Sequence, residues 1–172
     1  KRRTWRKLHL AVEPKSGEVQ AAMLSEAGVH DSEMVPPLLA QVDQPIENTT
    51  ADGGYDKRSV YRALRARAPA AEIVIPPRRD ARIWQHGNRK APPHARDQAL
   101  RGVRTHGRRT WKERSGYHRR SLAETAFFRL KTIFGDHLSA RLLETQASQV
   151  GARCRALNLM THLGMPESYR AC

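Results

Sequence analysis

Four polar side chains recur at helical spacing within one short segment of the chain. They are Tyr117, Arg120, Glu124 and Lys131, in the sequence GYHRRSLAETAFFRLKTIFG. Because an α-helix turns about 100° per residue, all four would project within an arc of about 60° on a helix that we predict over residues 117–134. Such a stripe presents a carboxylate flanked by two cations and a phenol, which suits a phosphate and its metal ion. The segment therefore predicts phosphate chemistry around Glu124.

The same stripe has a simpler interpretation as a solvated helix face. Its charges would then pair at i,i+3 and i,i+4 spacing and contribute about 0.2–0.5 kcal/mol per pair. Phe128 also falls on the stripe, and a surface that mixes aromatic and charged groups is more typical of a contact site. Apolar residues project from roughly the opposite side and predict the buried face: Leu122, Ala126, Leu130 and Ile133.

A second carboxylate, Asp52, follows a predicted strand over residues 46–51 and precedes Gly53 and Gly54. In open α/β sheets, ligands bind outside the carboxyl ends of the strands, and glycines leave space for a close backbone approach. The alternative is structural, because Asp before Gly-Gly is a common turn residue. For Asp56 we predict a cap on the helix beginning at Lys57 rather than a ligand.

Asp52 and Glu124 together suggest a metal site. They lie 72 residues apart, so only folding can bring them together. Mg²⁺ is bound through one or two carboxylates together with phosphate oxygens and water. Two such ions can activate a water or a 3′-hydroxyl and stabilise the leaving oxygen of a phosphoryl displacement.

The elements that would position these residues read as an α/β fold. Strands at 4–12 and 18–25 form a predicted hairpin, with Leu8, Leu10 and Val12 on one side and His9 on the other. A helix follows, capped by Asp31 or Ser32 and extending to about Val42. The remaining predicted elements are the strand at 46–51, a helix at 57–68, a strand at 71–75, and helices at 117–134 and 139–163.

Residues 77–116 carry many arginines, several prolines and glycines, and few aliphatic residues. We predict a long basic segment with little regular structure, in which Gly102 is a loop residue. Trp84, His86 and Trp111 interleave with the arginines, as on surfaces that track DNA. The alternative is a disordered, solvated loop.

Composition points to a polyanionic partner. The 172 residues carry a formal charge of +14, with a pI of about 10.8. Nucleic acid is the natural partner, and a merely basic, ribosome-associated protein is the competing class. Cys154 and Cys172 form no CxxC pair, which favours free thiols in a reducing compartment. No signal peptide or membrane-length apolar run is present, and because the first residue is Lys1 we expect a fragment or a processed product.

Two segments resemble the bacterial insertion-sequence transposases of the DDE class. They are TADGGYD (50–56) and YHRRSLAETAFFRLK (117–131), and the second matches that family's Tyr-x2-Arg-x3-Glu-x6-Lys signature at every fixed position. The opening RRTWRKLHLAV and the closing RALNLMTHLGMPES are similar to the insertion-sequence-five family.

The resemblance implies an RNase H-like mixed sheet flanked by helices over residues 1–165, with a basic insertion at 77–116 and a tail at 166–172. It implies two Mg²⁺ ions, cleavage at terminal inverted repeats and strand transfer into target DNA. It also implies a homo-oligomer in the bacterial cytoplasm, at the nucleoid, with no membrane partner. Asp52 and Glu124 would be the second and third acidic metal ligands. Tyr117, Arg120 and Lys131 would contact DNA near the scissile phosphate.

The first catalytic Asp of that family lies on a central strand upstream of the hairpin. Residues 1–30 contain no Asp. We therefore expect this chain to lack the first core strand and the first catalytic Asp, and not to cleave DNA by itself. The alternative function is a catalytically inactive, basic remnant that still binds DNA.

Overall fold

The chain is a mixed α/β protein, in a computed structural model that describes residues 5–85 and 92–164. Strands and helices follow one another in the predicted order β-β-α-β-α-β, and helices make up the rest. The chain divides into two compact units. Residues 1–28 and 122–172 form one, which we call the β-hairpin unit, and residues 29–121 form the other, the central unit.

The β-hairpin unit is built on strands β1 (Arg6–Val12) and β2 (Val19–Glu26), which pair antiparallel as predicted. In the connecting turn, the Glu13 carboxylate accepts a hydrogen bond from the Lys15 backbone N–H at 2.7 Å. Gly17 closes the turn at φ 74°, in the left-handed region that glycine adopts without strain. Local turn chemistry thus sets the register of the pair.

Helices α5 (Ser121–Phe134) and α6 (Leu143–His162) pack against one face of these strands. The shared core consists of Val19, Ala126, Leu130, Val150, Cys154 and Leu157, with Leu8, Leu10 and Val12 packed against it. Asn158 of α6 exchanges two hydrogen bonds of 2.9 Å with the Val19 backbone, one accepted and one donated. Val150, Cys154 and Leu157 are thus buried along the middle of α6, whereas the flanking residues Leu142 and Leu163 are exposed.

His9 differs from the pattern expected of a half-buried strand. It lies on the side of β1 opposite Leu8 and Leu10, yet it is buried, and its Nε2 lies 2.8 Å from Ser25 Oγ. Alternation alone could not predict this, because the hydrogen bond to a neighbouring strand is what allows an imidazole to be buried there.

The central unit contains a two-stranded parallel sheet of β3 (Asn48–Thr50) and β4 (Glu72–Val74). Helix α2 (Arg58–Arg67) covers it with Val60, Tyr61 and Leu64, which meet Ile73 and Ile75 in the core. These three elements were predicted close to their observed positions.

The helix predicted from residue 31 onward is shorter than expected and differently capped. A 3₁₀ turn at Asp31–Glu33 precedes α1 (Val35–Leu39), and Val42 lies beyond the helix end. Neither Asp31 nor Ser32 is the cap, because Met34 caps α1 and His30 caps the 3₁₀ turn. The His30 backbone N–H donates to the Glu33 carboxylate at 3.3 Å. Pro36 lies in the first turn of α1, where the missing backbone N–H of proline costs no helical hydrogen bond.

The prediction of little regular structure over residues 77–116 is wrong. This stretch contains α3 (Ala95–His106) and α4 (Arg108–Arg114), joined at Gly107 with φ 79°. The sequence of α3 shows few aliphatic residues because its buried side includes the charged residues Arg96 and Asp97 as well as Ala99 and Leu100. His86 and the tail at 166–172 lie outside the described residues.

The four strands form two separate two-stranded sheets within residues 5–85 and 92–164. The mixed α/β class is therefore confirmed, while the single RNase H-like sheet, its missing first strand and the domain boundary at residue 165 stay predictions.

Candidate active site

Asp52 stands where the sequence placed it, directly after β3. Its backbone is extended, with φ −76° and ψ 173°, and it caps a 3₁₀ turn at Gly53–Tyr55. One carboxylate oxygen, Oδ1, accepts a hydrogen bond of 2.7 Å from the Gly54 backbone N–H, and the residue is exposed. Asp52 therefore does stabilise the turn, as its structural interpretation predicts. The same hydrogen bond orients its carboxylate, which stays accessible to a ligand.

The two glycines serve this turn. A Cβ on Gly54 would lie 2.9 Å from Asp52 Oδ1, and one on Gly53 would lie 3.3 Å from the Pro76 carbonyl oxygen. The space predicted for a close approach is thus used by the carboxylate of Asp52 and by the chain leaving β4.

Tyr55 completes this turn and was missed by the sequence reasoning. Burial raises the pKa of its phenol to about 12, and the negative charges of Asp31 and Asp52 act in the same direction. The phenol therefore stays protonated at neutral pH, and burial is the main reason for its raised pKa.

Asp56 is not the cap of α2, contrary to the prediction. Lys57 occupies the cap position, and Asp56 is buried. Its carboxylate accepts hydrogen bonds from Arg96, from Nε at 2.7 Å and from Nη2 at 3.3 Å, and from the Arg78 backbone N–H at 3.0 Å. A buried charge needs such partners, and Arg96 lies 40 residues away in sequence, so local pattern could not reveal it.

Asp97 extends this cluster to the segment that follows β4. It is fully buried and accepts hydrogen bonds from the backbone N–H groups of Trp84, at 2.9 Å, and Gln85, at 2.7 Å. Arg96 also donates to the Arg82 carbonyl oxygen. We call Asp56, Arg96 and Asp97 the buried charge cluster, and it ties the loop after β3 to the chain after β4 and to the start of α3.

Trp84 packs inside the central unit rather than standing out as a stacking platform. The Arg96 and Arg58 guanidinium carbons lie 4.0 and 4.8 Å from its ring centroid, and Tyr61 and His94 meet it edge-on. Trp111 is likewise a packing residue, against Gly102 of α3. The aromatic residues of the basic segment therefore hold its helices together.

His94 caps α3, with its Nδ1 accepting a hydrogen bond of 3.2 Å from the Arg96 backbone N–H. Burial lowers the pKa of the imidazole, with further lowering from Arg58, Arg65 and Arg96 against an opposing effect of Asp97. A neutral ring is also what this hydrogen bond requires, since an accepting nitrogen carries no proton.

Glu124 lies in the first turn of α5 and is exposed, a position that the helix dipole favours for a carboxylate. Lys131 falls on the same face, because seven residues are close to two turns. Phe128 lies on this face and is 70% exposed. Ala126 and Leu130 are buried as predicted, but Ile133 is 42% exposed. The buried face of α5 is therefore narrower than the predicted one.

Tyr117 and Arg120 do not belong to the α-helix that carries Glu124. They occupy a 3₁₀ turn at Tyr117–Arg120 that begins after Gly116 at φ 66°. A 3₁₀ helix has about three residues per turn, so the arc expected for an α-helix does not apply to this pair. Lys112 Nζ and the Arg120 guanidinium carbon lie 4.7 and 5.7 Å from the Tyr117 ring centroid. These two residues therefore meet within the central unit.

Asp52 belongs to the central unit and Glu124 to the β-hairpin unit. Their pairing stays a prediction, as does the grouping of Glu124 and Lys131 with Tyr117 and Arg120. Among residues 5–85 and 92–164, no group of three or more His, Cys, Asp or Glu side chains could hold a metal ion.

Two further features of the described residues concern membrane-spanning helices and cysteine chemistry. None of the helices there is long and apolar enough to cross a membrane. Cys154 is a buried free thiol, and burial raises its pKa, which makes it unreactive. Cys172 lies outside the described residues.

A comparison with protein families gives one match over most of the chain. The family model described as the transposase DDE domain matches residues 1–159. No solved structure matches the chain.

Proposed function

Because the chain belongs to the transposase DDE domain family, we propose that it acts in DNA transposition with Asp52 and Glu124 as two ligands of catalytic Mg²⁺. The observation that carries this proposal is the exposed Asp52 carboxylate, oriented by Gly54 at the carboxyl end of a parallel strand. That end of a strand is where open α/β sheets bind ligands.

The donor groups suit the metal. Asp52 and Glu124 are both exposed residues with a carboxylate, the ligand type that Mg²⁺ takes together with phosphate oxygens and water. When bound, such ions would activate a water or 3′-hydroxyl and neutralise charge on the leaving oxygen. The chain would contribute the orientation of Asp52, and Tyr117, Arg120 and Lys131 would hold phosphates near the scissile bond.

We further propose an RNase H-like mixed sheet flanked by helices, which in these 172 residues lacks the first core strand and the first catalytic Asp. In that fold the first strand is central. The absence of Asp from residues 1–30 supports the same proposal.

The test is an excision assay in cells with the complete element, comparing wild type with Asp52→Asn and Glu124→Gln. Glu144→Gln is the matched control, since Glu144 is an exposed carboxylate in the first turn of α6. We expect both site variants to abolish excision while binding to an element-end duplex is kept, and the control to behave as wild type. Normal excision by either site variant would overturn the assignment of that residue.

The second candidate function is an inactive DNA-binding remnant, favoured by the +14 charge together with the missing Asp. A nicking assay separates the two for the chain alone. We expect the purified chain to bind an element-end duplex without nicking it in Mg²⁺. Mg²⁺-dependent nicking that disappears in Asp52→Ala would show that these 172 residues suffice for cleavage.

A further inference from the structure

We propose that helices α3 and α4, the basic helix pair of residues 95–114, form a docking surface for the phosphate backbone of duplex DNA. This inference rests on the proposed function, which makes DNA the partner, and it identifies the part of the chain that DNA would contact. The contact would be independent of base sequence, because it would be made to phosphates alone.

The exposed side of the basic helix pair carries charge of one sign. Outside the core it presents six cationic side chains against the single acid Glu113: Arg101, Arg104, Arg108, Arg109, Lys112 and Arg114. A surface so uneven creates a positive potential that concentrates anions. A solvated helix face normally alternates charges, and this one does not.

Most of these cations are unengaged. Arg109 pairs with Glu113 at 3.1 Å, and Lys112 lies over the Tyr117 ring. The four remaining guanidiniums make no side-chain hydrogen bond or ion pair among the residues that the structure describes: Arg101, Arg104, Arg108 and Arg114. Their donors are therefore available for bidentate contacts with phosphate.

The spacing of these side chains suits a nucleic-acid strand. Arg101 and Arg104 lie about 60° apart on the exposed face of α3, with a rise of about 4.5 Å between them. One strand of duplex DNA presents a phosphate about every 3.4 Å along the helix axis. Flexible arginine side chains can bridge that difference, so neighbouring arginines can reach successive phosphates of one strand.

The pair is held rigidly, which lowers the entropy cost of binding. Ala99 and Leu100 bury the inner face of α3, and the buried charge cluster anchors its first turn. Trp111 of α4 packs directly on Gly102 of α3.

The surface also continues toward the proposed reaction centre. Lys112 of α4 and Arg120 of the following 3₁₀ turn both lie against the ring of Tyr117. DNA whose scissile phosphate is near Tyr117 and Arg120 would therefore extend along the basic helix pair.

The test compares two triple variants that remove equal charge. Arg101→Ala, Arg104→Ala and Arg108→Ala together alter the surface, and Arg62→Ala, Arg141→Ala and Arg155→Ala together are the control. The control arginines are exposed and equally unengaged among the described residues. Binding is measured by fluorescence anisotropy in EDTA, over a series of salt concentrations, on an element-end duplex and a scrambled duplex of equal length.

Counterion release predicts that the slope of log K against log salt becomes shallower by about 0.9 for each phosphate that the protein no longer neutralises, or about 3 for the surface variant. We expect this change to be equal on both duplexes and absent from the control. The corresponding triple Lys variant should recover most of the slope, because it keeps the charges. Equal slopes for the surface and control variants would overturn the inference, as would weakened binding confined to the element-end duplex.

The failures of the two proposals are distinguishable in this experiment. If the wild-type chain binds neither duplex, DNA is not the partner of this chain and the proposed function fails with it. If the wild type binds and the two triple variants agree, only the docking surface is wrong. Urea unfolding of each variant checks that the proteins whose binding is compared are folded. If the triple Ala variant of the surface is unfolded, the triple Lys variant is compared with the wild type and the control instead.

Discussion

Two aspartates four residues apart have opposite environments in the loop after β3. Asp52 is exposed and engages one oxygen in a turn, whereas Asp56 is buried against Arg96. An exposed carboxylate keeps oxygens for a metal ion, while a buried one is committed to its protein partners. The loop thus separates a candidate ligand from the residue that holds the loop in place.

Breaking the buried charge cluster should destabilise the central unit strongly. Asp56→Asn leaves the Arg96 guanidinium, only 5% exposed, without its closest anion. Removing one partner of a buried ion pair costs about 3–5 kcal/mol, so we expect a decrease of that size in the free energy of unfolding, measured with urea.

Glu113→Gln is the control for this measurement. It breaks the Arg109–Glu113 pair, whose side chains are 93% and 60% exposed. Exposed pairs of this kind contribute about 0–1 kcal/mol, so the urea concentration at the midpoint of unfolding should change little. Similar decreases for the two variants would show that burial of the Asp56–Arg96 pair has little energetic weight.

His94 should make stability depend on pH. Since burial lowers its pKa in the folded chain, the unfolded chain binds the proton more readily once the pH falls below its ordinary value of about 6.5. The contribution of the neutral ring is therefore present above that pH and is lost as the pH falls toward the folded-state pKa.

His94→Asn keeps a good helix cap without a titrating group. We expect wild type to lose stability relative to this variant between about pH 7.5 and pH 5.5, as measured by urea unfolding at a series of pH values. A constant difference across that range would contradict the assignment.

At the scale of elements, α3 and α4 show how a helix pair can form with few aliphatic residues. Its packing depends on a glycine in mid-helix, because a Cβ on Gly102 would lie 2.8 Å from Trp111 Cδ1. Gly102 is therefore not the loop residue that the sequence suggested. The absence of its side chain lets an indole ring approach the helix backbone.

Gly102→Ala and Gly151→Ala should act in opposite directions. At Gly102 the added methyl meets the Trp111 ring, and overpacking of this kind costs about 1–3 kcal/mol. Gly151 lies within α6 with no atom within 4 Å of the added Cβ, so alanine should stabilise by about 0.5–1 kcal/mol through helix propensity. Thermal unfolding of both variants is the measurement, and stabilisation by Gly102→Ala would contradict the packing described.

At the scale of the whole molecule, the net charge of +14 acts on the folded state as self-repulsion. Raising NaCl from about 20 to 200 mM shortens the Debye length from roughly 20 to about 7 Å, and should raise the melting temperature. A ligand that binds only the folded chain stabilises it, and DNA is the proposed partner, so we expect duplex DNA at low salt to raise the melting temperature as well. A melting temperature that falls over this salt range would show that attractive surface pairs outweigh the repulsion.

Much of the fold followed from the sequence by itself. Alternation predicted the β-hairpin, the short apolar run AEIVI predicted β4, and helical periodicity predicted α2 and the exposed side of α5. These features depend on neighbours within a few residues, where period and turn chemistry act directly. The Tyr-x2-Arg-x3-Glu-x6-Lys spacing and the TADGGYD segment also pointed to a DDE transposase domain, and the match over residues 1–159 confirms that domain family.

Only the tertiary structure decided the roles of Asp56, Arg96 and Asp97, the helices within residues 77–116, and the packing of Trp84 and Trp111. Each depends on contacts between distant parts of the chain, as when Asp56 meets Arg96 from 40 residues away. Charged residues in a sequence suggest surface, and their burial becomes favourable only when folding brings each charge its partner. The periodicity of a sequence does not indicate such partners. For this reason an arginine-rich stretch with the pattern of a loop was not predicted to form two packed helices.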